Sequence, residues 1–389
     1  MAATATPVLD LFRELAAIPS PSGRERPVAD RTLDFLRDLG LDPTEDDAGA
    51  QIGSDMGNIH VALPPSDDGD GVPIFLNAHL DTVPPTGPID PEVRNGVVVN
   101  RHDTILGADN KAAVAVMLAA VSDLVRTGRS HAGVELVLTP MEEVGLCGAK
   151  AFDTSRLRAR VGYCYDHAAP IGNVVLAAPT QKSLELRFLG RAAHSGIAPE
   201  EGRSAIAAAA RAVADMPLGR VDDATTANVG LIRGGVAGNI VPPECRVWAE
   251  ARSRDGDRLR EQVQAMLDAA TYAANLSDCE LESRIVSEYE GYRFARTHEA
   301  VRLVSEALDG CGYPVTYIES GGGADANVFN AGGVPCVNVC NGMAEIHTAS
   351  EHISVADLEG MLRVTMGLIG AARVSGSTIA QPDHDGGVE

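Results

Sequence analysis

His79, Asp81 and Asp109 are the residues whose types and spacing first suggest chemistry. His79 and Asp81 sit in the segment NAHLDTVPP, just past the apolar run Val72-Pro73-Ile74-Phe75-Leu76. A short apolar run bounded by turn formers reads as a buried strand. In an open α/β sheet, ligands gather at the C-terminal ends of the strands. Residues two apart in extended chain point to the same side. The Asp81 carboxylate is therefore expected behind the His79 ring, fixing its tautomer. Asp109 follows in a Gly-Ala-Asp-Asn turn that opens an Ala-rich helix from Lys111 to about Val125. Either piece alone reads equally well as an ordinary turn or a helix N-cap. The rest of the chain gives them weight.

Further polar groups stand just past apolar strands. Glu142 and Glu143 follow the strand Val134 to Thr139, Asp166 follows the strand Val161 to Tyr165, and His347 follows the strand Pro335 to Val339. Two imidazoles and several carboxylates without a thiolate suit borderline divalent metals such as Zn²⁺, Co²⁺ or Mn²⁺. A set with more than two carboxylates could hold two ions sharing a carboxylate, ~3.5–4 Å apart. The adjacent Glu142 and Glu143 cannot easily both bind one ion, so one could ligate while the other stays free as a base. Metal-assisted hydrolysis needs that division of labour.

The elements that must position these groups alternate between short apolar strands and helices. Helices are expected at Leu9 to Ala17 and Arg26 to Leu39, then strands at Asn58 to Leu63 and through the His79 run. A short helix is expected from Ala149 to about Leu157. This is the α/β pattern with a mixed, mostly parallel sheet. Composition shifts near Thr180. Lys182 to Leu189, Ala227 to Ile232, Cys245 to Arg252 and Cys279 to Glu288 alternate as half-exposed strands. Helices are expected between them at Pro199 to Met216 and Asp257 to Ala274. Strand-helix-strand-strand-helix-strand is the ferredoxin-like, split βαβ pattern. The expected organisation is a catalytic domain in two parts, 1–180 and 293–389, with an α+β domain inserted at 181–292. A last helix runs from Ser354 to about Ala372, and the polar tail Gly376 to Glu389 is expected to fray.

Composition narrows the partners. Fifty-four acidic against 32 basic residues give a net charge of −22, which argues against nucleic acid or an anionic membrane as partner. Seven scattered cysteines without a CxxC pair suggest neither a disulfide framework nor a cysteine-type zinc site. A reducing compartment, the cytoplasm, is the simpler reading. The first twenty residues have no signal-peptide pattern, and no apolar run approaches the ~18–20 residues that span a bilayer.

HLDTVPP, GADNKAAVA, EEVG, AAHSG and the late IHT together resemble the co-catalytic dizinc metallopeptidase family. That family includes peptidase T, carboxypeptidase G, aminoacylase and succinyl-diaminopimelate desuccinylase. The likeness runs from about Leu9 to Ala372, and SGGGADANVFN resembles the Gly-rich loop of the peptidase T-like branch. The resemblance implies that His79 and Asp166 bind one metal, Glu143 and His347 the other, and that Asp109 bridges them. It implies Asp81 as the residue orienting His79 and Glu142 as the general base, with a cis peptide at Asp109-Asn110. The inserted domain becomes a lid and dimer platform. Its His194 becomes an oxyanion donor, and Asn239 and Arg252 become substrate contacts. Asp325 either caps a helix or lines the pocket.

The expected function is a zinc-dependent exopeptidase of short peptides, a tripeptidase-like aminopeptidase. It would use metal-bridged hydroxide with Glu142 as base, two divalent metals (zinc first, cobalt or manganese as alternatives) and a homodimer. A deacylase or carboxypeptidase acting on N-acyl amino acids is the alternative of the same class. A non-catalytic, metal-stabilised binding protein is the alternative of another class, and it would require a missing base or ligand.

Overall fold

The computed structural model describes residues 6–66, 70–84 and 87–374. The expected fraying tail, Gly376 to Glu389, lies outside them. Two compact units emerge. One comprises the chain up to Leu176, Phe294–Ile318 and the chain from Ala324 onward; the other comprises Ala177–Arg293 and Glu319–Gly323.

The first unit is built on a mixed sheet whose centre is parallel. Val134–Thr139, Ile74–His79, Val161–Cys164 and Cys336–Val339 lie side by side and run the same way. Ile59–Leu63 and, beyond it, Thr44–Glu45 close one side antiparallel. Asn173–Ala178 pairs antiparallel to Cys336–Val339 on the other side. Val134–Thr139 and Ile74–His79 are buried at every position. Covering on both faces makes such strands mostly apolar, with the hydrogen-bonded Glu135 and Asn77 as exceptions. The Ala-rich helix Ala108–Thr127 is buried nearly all round and packs against helices Pro7–Ala16 and Val355–Val374. Its small side chains let these neighbours approach closely.

The second unit has four long antiparallel strands in the order Thr225–Gly234, Glu244–Ser253, Thr180–Leu189, Glu280–Tyr289. Every second residue of Glu244–Ser253 is buried. Helices Ala205–Asp215 and Gly256–Leu276 pack on this sheet, which completes the ferredoxin-like arrangement. Among the described residues no helix is long and apolar enough to cross a membrane.

Two expected helices are broken. In place of a helix from Pro199 there is a 3₁₀ turn, Pro199–Glu201, and the helix proper starts at Ala205. Ser204 stops propagation backwards by accepting the Ala207 N–H as an N-cap. Ala149 to Leu157 likewise divides into Cys147–Ala151 and a 3₁₀ turn, Thr154–Arg156. There the Asp153 side chain captures the Ser155 N–H, competing with the helix.

Packing at the sheet centre leaves no slack. Gly162 lies opposite Phe75, and a Cβ at Gly162 would meet the Phe75 ring at 2.0 Å. Phe75 cannot yield easily, because it packs on Phe329 with ring centroids 4.8 Å apart. Gly162→Ala should therefore destabilise the protein by about 1–3 kcal/mol, the usual range for overpacking. The urea midpoint should fall, and Phe75→Leu should restore part of the loss. An unchanged midpoint in Gly162→Ala would contradict this packing.

Candidate active site

Three of the four central strands lead within three residues into a polar group of the site, and these groups converge. His79 closes its strand with 1% of its surface exposed. Asp166 follows the adjacent strand, where Asn338 grips its backbone twice. Asn338 Oδ1 accepts the Asp166 N–H at 3.0 Å, and Asn338 Nδ2 donates to Asp166 O at 2.8 Å. Asp109 and Asn110 have non-helical dihedrals at the start of the long helix, and the peptide between them is cis, as expected. His347 sits in a loop with φ +63°, a left-handed conformation that non-glycine residues seldom adopt.

Asp109 faces two ways. Its Oδ1 lies 3.2 Å from His79 Nε2, and Asp166 Oδ1 lies 3.7 Å from the same nitrogen. Its Oδ2 lies 3.2 Å from His347 Nε2, which is also 3.1 Å from Glu143 Oε1. Two groups that could each hold a metal ion thus form, His79–Asp109–Asp166 and Asp109–Glu143–His347, each with donor atoms within 4.8 Å of one another. Glu142 belongs to a third such group with His79 and Glu143.

Asp81 does more than orient His79, and orients it differently from expectation. The nearest acceptor for His79 Nδ1 is the Asp81 backbone carbonyl, at 2.9 Å, with the carboxylate at 3.4 Å. The shorter, better-aligned contact fixes the tautomer and leaves Nε2 facing Asp109. The carboxylate accepts the N–H groups of Glu142 at 2.9 Å and Glu143 at 3.2 Å and the Ser22 hydroxyl at 2.6 Å. It therefore holds the turn carrying both glutamates. Buried Glu25 supports the same turn by accepting the Met141 N–H.

The site concentrates negative charge away from water. Burial, reinforced by Asp166, raises the Glu142 carboxyl well above its usual range. Burial also raises Glu143 and Asp166. Burial opposes charge on His79, yet Asp109, Asp166 and Asp81 around it hold its proton well above the imidazole range. Asp109 and Glu143 push His347 up to about 10. Burial opposes ionisation of Asp109 too, but His347 and His79 outweigh it and drive this carboxyl down. Six groups that draw in positive charge, four of them carboxylates, are the electrostatic counterpart of a dication site. Nitrogen and oxygen donors without sulfur fit such metals, so the residues present suit the expected group.

Asp325 resolves as both helix start and buried carboxyl. It opens the helix Asp325–Ala331, and its Oδ2 accepts from Thr139 Oγ1 at 2.5 Å and Asn77 Nδ2 at 3.3 Å. Burial pushes it up to about 6. His194, Asn239 and Arg252 belong to the second unit. His194 and Asn239 are exposed neighbours there, joined by the Ser195 N–H to Asn239 O at 3.0 Å. The Arg252 guanidinium already forms a two-point pair with Glu250. Ser22, Glu25, Asn338 and Glu351 were not singled out from the sequence. All four act on backbone or on another side chain far along the chain, for which sequence carries no periodic signal.

The fold and the paired ligand groups define a hydrolase of the metallopeptidase class. The chain belongs to peptidase family M20/M25/M40, whose profile matches residues 75–371. It is 37% identical to the uncharacterised protein YqjE of Bacillus subtilis, over 93% of this chain and 97% of that one. Among solved structures it is similar to an aminopeptidase PepT from Bacillus cereus, with 37% identity, TM-score 0.84 and coverage of 94% and 98% of the two chains. A tripeptidase from Staphylococcus aureus is similar at 33% identity and TM-score 0.89, with the same coverage.

Removing Asp81 should loosen the centre. In Asp81→Ala the Glu142 and Glu143 N–H groups lose their acceptor, at ~1–3 kcal/mol for each one left unpaired. We expect a lower urea midpoint and Co²⁺ binding weakened about 10–100-fold. Undiminished Co²⁺ affinity by titration calorimetry would show that Asp81 does not orient the site.

Proposed function

We propose that this chain is a dinuclear metallopeptidase that releases the N-terminal residue from short peptides. The observation that carries the reading is the Asp109 carboxylate, with one oxygen turned to His79 and the other to His347. His79 and Asp166 would hold one divalent ion, Glu143 and His347 the other, and Asp109 would be shared. Zinc is the first choice, with cobalt or manganese as alternatives. Ions bound there would supply Lewis acidity, lowering the pKa of a water and polarising the scissile carbonyl.

The chain's own residues supply the proton chemistry. Glu142 sits against His79 and Glu143 without belonging to either group around Asp109. Its raised proton affinity suits a base that takes a proton from water and later gives it to the leaving amine. Asp81 keeps Glu142 within reach by holding its N–H. The second unit, as lid and dimer platform, contributes His194 as an oxyanion donor and Asn239 and Arg252 as substrate contacts. These roles rest on the AAHSG, GGVAGNIVPP and AEARS motifs. Seven scattered cysteines without a CxxC pair suit the cytoplasm as its compartment.

The peptide substrate is favoured by the aminopeptidase and tripeptidase likeness across 94% of the chain. A deacylase or carboxypeptidase is the second reading. Probable carboxypeptidases of Aspergillus niger and Aspergillus terreus match at 30% and 29% identity, over 69% and 68% of this chain. A succinyl-diaminopimelate desuccinylase of Xanthomonas oryzae matches at 27% over 86%.

A hydrolysis screen of the metal-reconstituted protein tests this. Free tripeptides, dipeptides and N-acylated amino acids are compared with and without chelator. Release of the N-terminal residue from tripeptides is expected, and chelator should abolish it. Glu142→Ala should lose turnover while keeping its full metal content by atomic absorption. Cleavage of N-acyl substrates alone would move the protein to the second reading. Metal loss together with activity in Glu142→Ala would make Glu142 a ligand and not the base.

A further inference from the structure

Glu351 is a buried carboxylate, 3% exposed, outside the ligand groups. Its Oε2 accepts the N–H groups of Leu106 at 2.7 Å and Gly107 at 2.8 Å, and its Oε1 accepts the N–H of Asp109 at 2.8 Å. These amides lie at the start of the long helix, where N–H groups have no intrahelical partner. The local N-cap, Gly107, supplies no side chain for them. The acceptor comes instead from 242 residues further along the chain.

Glu351 shares a loop with His347. Ala344 and His352 exchange two backbone hydrogen bonds, at 3.0 and 3.1 Å, which close this loop. Within it the Glu351 N–H donates to Thr348 O at 3.2 Å, and the Thr348 hydroxyl donates to Glu345 O at 2.7 Å. One tied loop therefore grips Asp109 at two points. The His347 ring meets its carboxylate at 3.2 Å, and Glu351 holds its backbone N–H. The buried Lys111 ammonium lies within electrostatic reach of Glu351 and Asp81, the two carboxylates that hold backbone at the site.

We infer that Glu351 is a positioning residue, clamping the Asp109 turn to the His347 loop so that the shared carboxylate meets both ligand groups at once. The inference rests on the proposed dinuclear reading. Both oxygens of the clamp act as acceptors, so glutamine is a sharp probe. It matches glutamate in size but must turn its NH₂ toward at least one N–H of the turn, which cannot accept it. Glu135 provides the control. It is a buried carboxylate whose Oε1 accepts the N–H groups of Arg158 and Ala159 at 2.8 and 2.7 Å and whose Oε2 faces His60 Nε2 at 2.7 Å, and it belongs to none of the ligand groups.

The test is a Co²⁺ titration of the metal-free full chain, read by calorimetry and by the visible d–d absorption. Wild type, Glu351→Gln, Glu351→Asp, Glu135→Gln and Asp109→Asn are compared. Wild type should bind two equivalents. Glu351→Gln should bind at least one of them about 10–100-fold more weakly, the range for residues supporting a metal ligand, with an altered spectrum. Glu351→Asp keeps both acceptors on a shorter stem and should fall between the two. Should one Glu351 variant fail to fold, the other carries the comparison. Glu135→Gln keeps Oε1 for both N–H groups and changes only the oxygen that faces His60, so it should keep wild-type affinity and spectrum. Wild-type behaviour of Glu351→Gln, or equal weakening in Glu135→Gln, would overturn the inference while leaving the dinuclear reading intact. Fewer than two equivalents in wild type, or both retained in Asp109→Asn, would take down that reading and this inference with it.

Discussion

Asp109, Asp166, Glu142 and Glu143 crowd around two imidazoles at the end of a parallel sheet, and all four are withdrawn from water. Like charges brought together in a poorly solvated place cost several kcal/mol per ion unless positive charge joins them. In this chain that demand appears as protons drawn onto His79, His347 and Glu142. Divalent cations would meet the same demand. The fold around the cluster can be understood as the framework that keeps these anions together when the ions are absent.

That framework works mainly through backbone. Asp81 holds the N–H groups of Glu142 and Glu143, Asn338 holds both backbone groups of Asp166, and Glu351 holds the turn that bears Asp109. Each support is a side chain from one segment fixing the main chain of another. Such bonds place a ligand more firmly than side-chain packing alone, because they restrict the dihedrals from which the ligand projects. Gly162, with no room for a Cβ against Phe75, shows that the sheet beneath is equally intolerant of displacement.

The candidate site residues stood out in the sequence for a physical reason. Buried parallel strands are mostly apolar, so a polar residue at or just past the end of such a run stands out, as His79, Glu142 and Asp166 do. The ferredoxin-like unit was legible because Glu244–Ser253 alternates cleanly and Leu184 to Leu189 does the same. The strand Asn173–Ala178 was passed over although Val174 to Ala178 is an apolar run between Gly172 and Pro179, because it lacks alternation and no candidate site residue follows it. The interruption after Pro199 was hidden by an alanine-rich run that outweighs a single Ser204 cap. Glu351 was the deepest omission. An acid in the polar stretch ASEHI reads as solvated, and only the folded chain brings it to Leu106, 245 residues away.

The most direct measurement of the central claim is a crystal structure of the zinc-loaded protein, with anomalous diffraction recorded on both sides of the zinc edge. The account predicts two peaks, one against His79 and Asp166 and one against Glu143 and His347, with an Asp109 oxygen on each. A single peak, or two peaks that do not share Asp109, would contradict it.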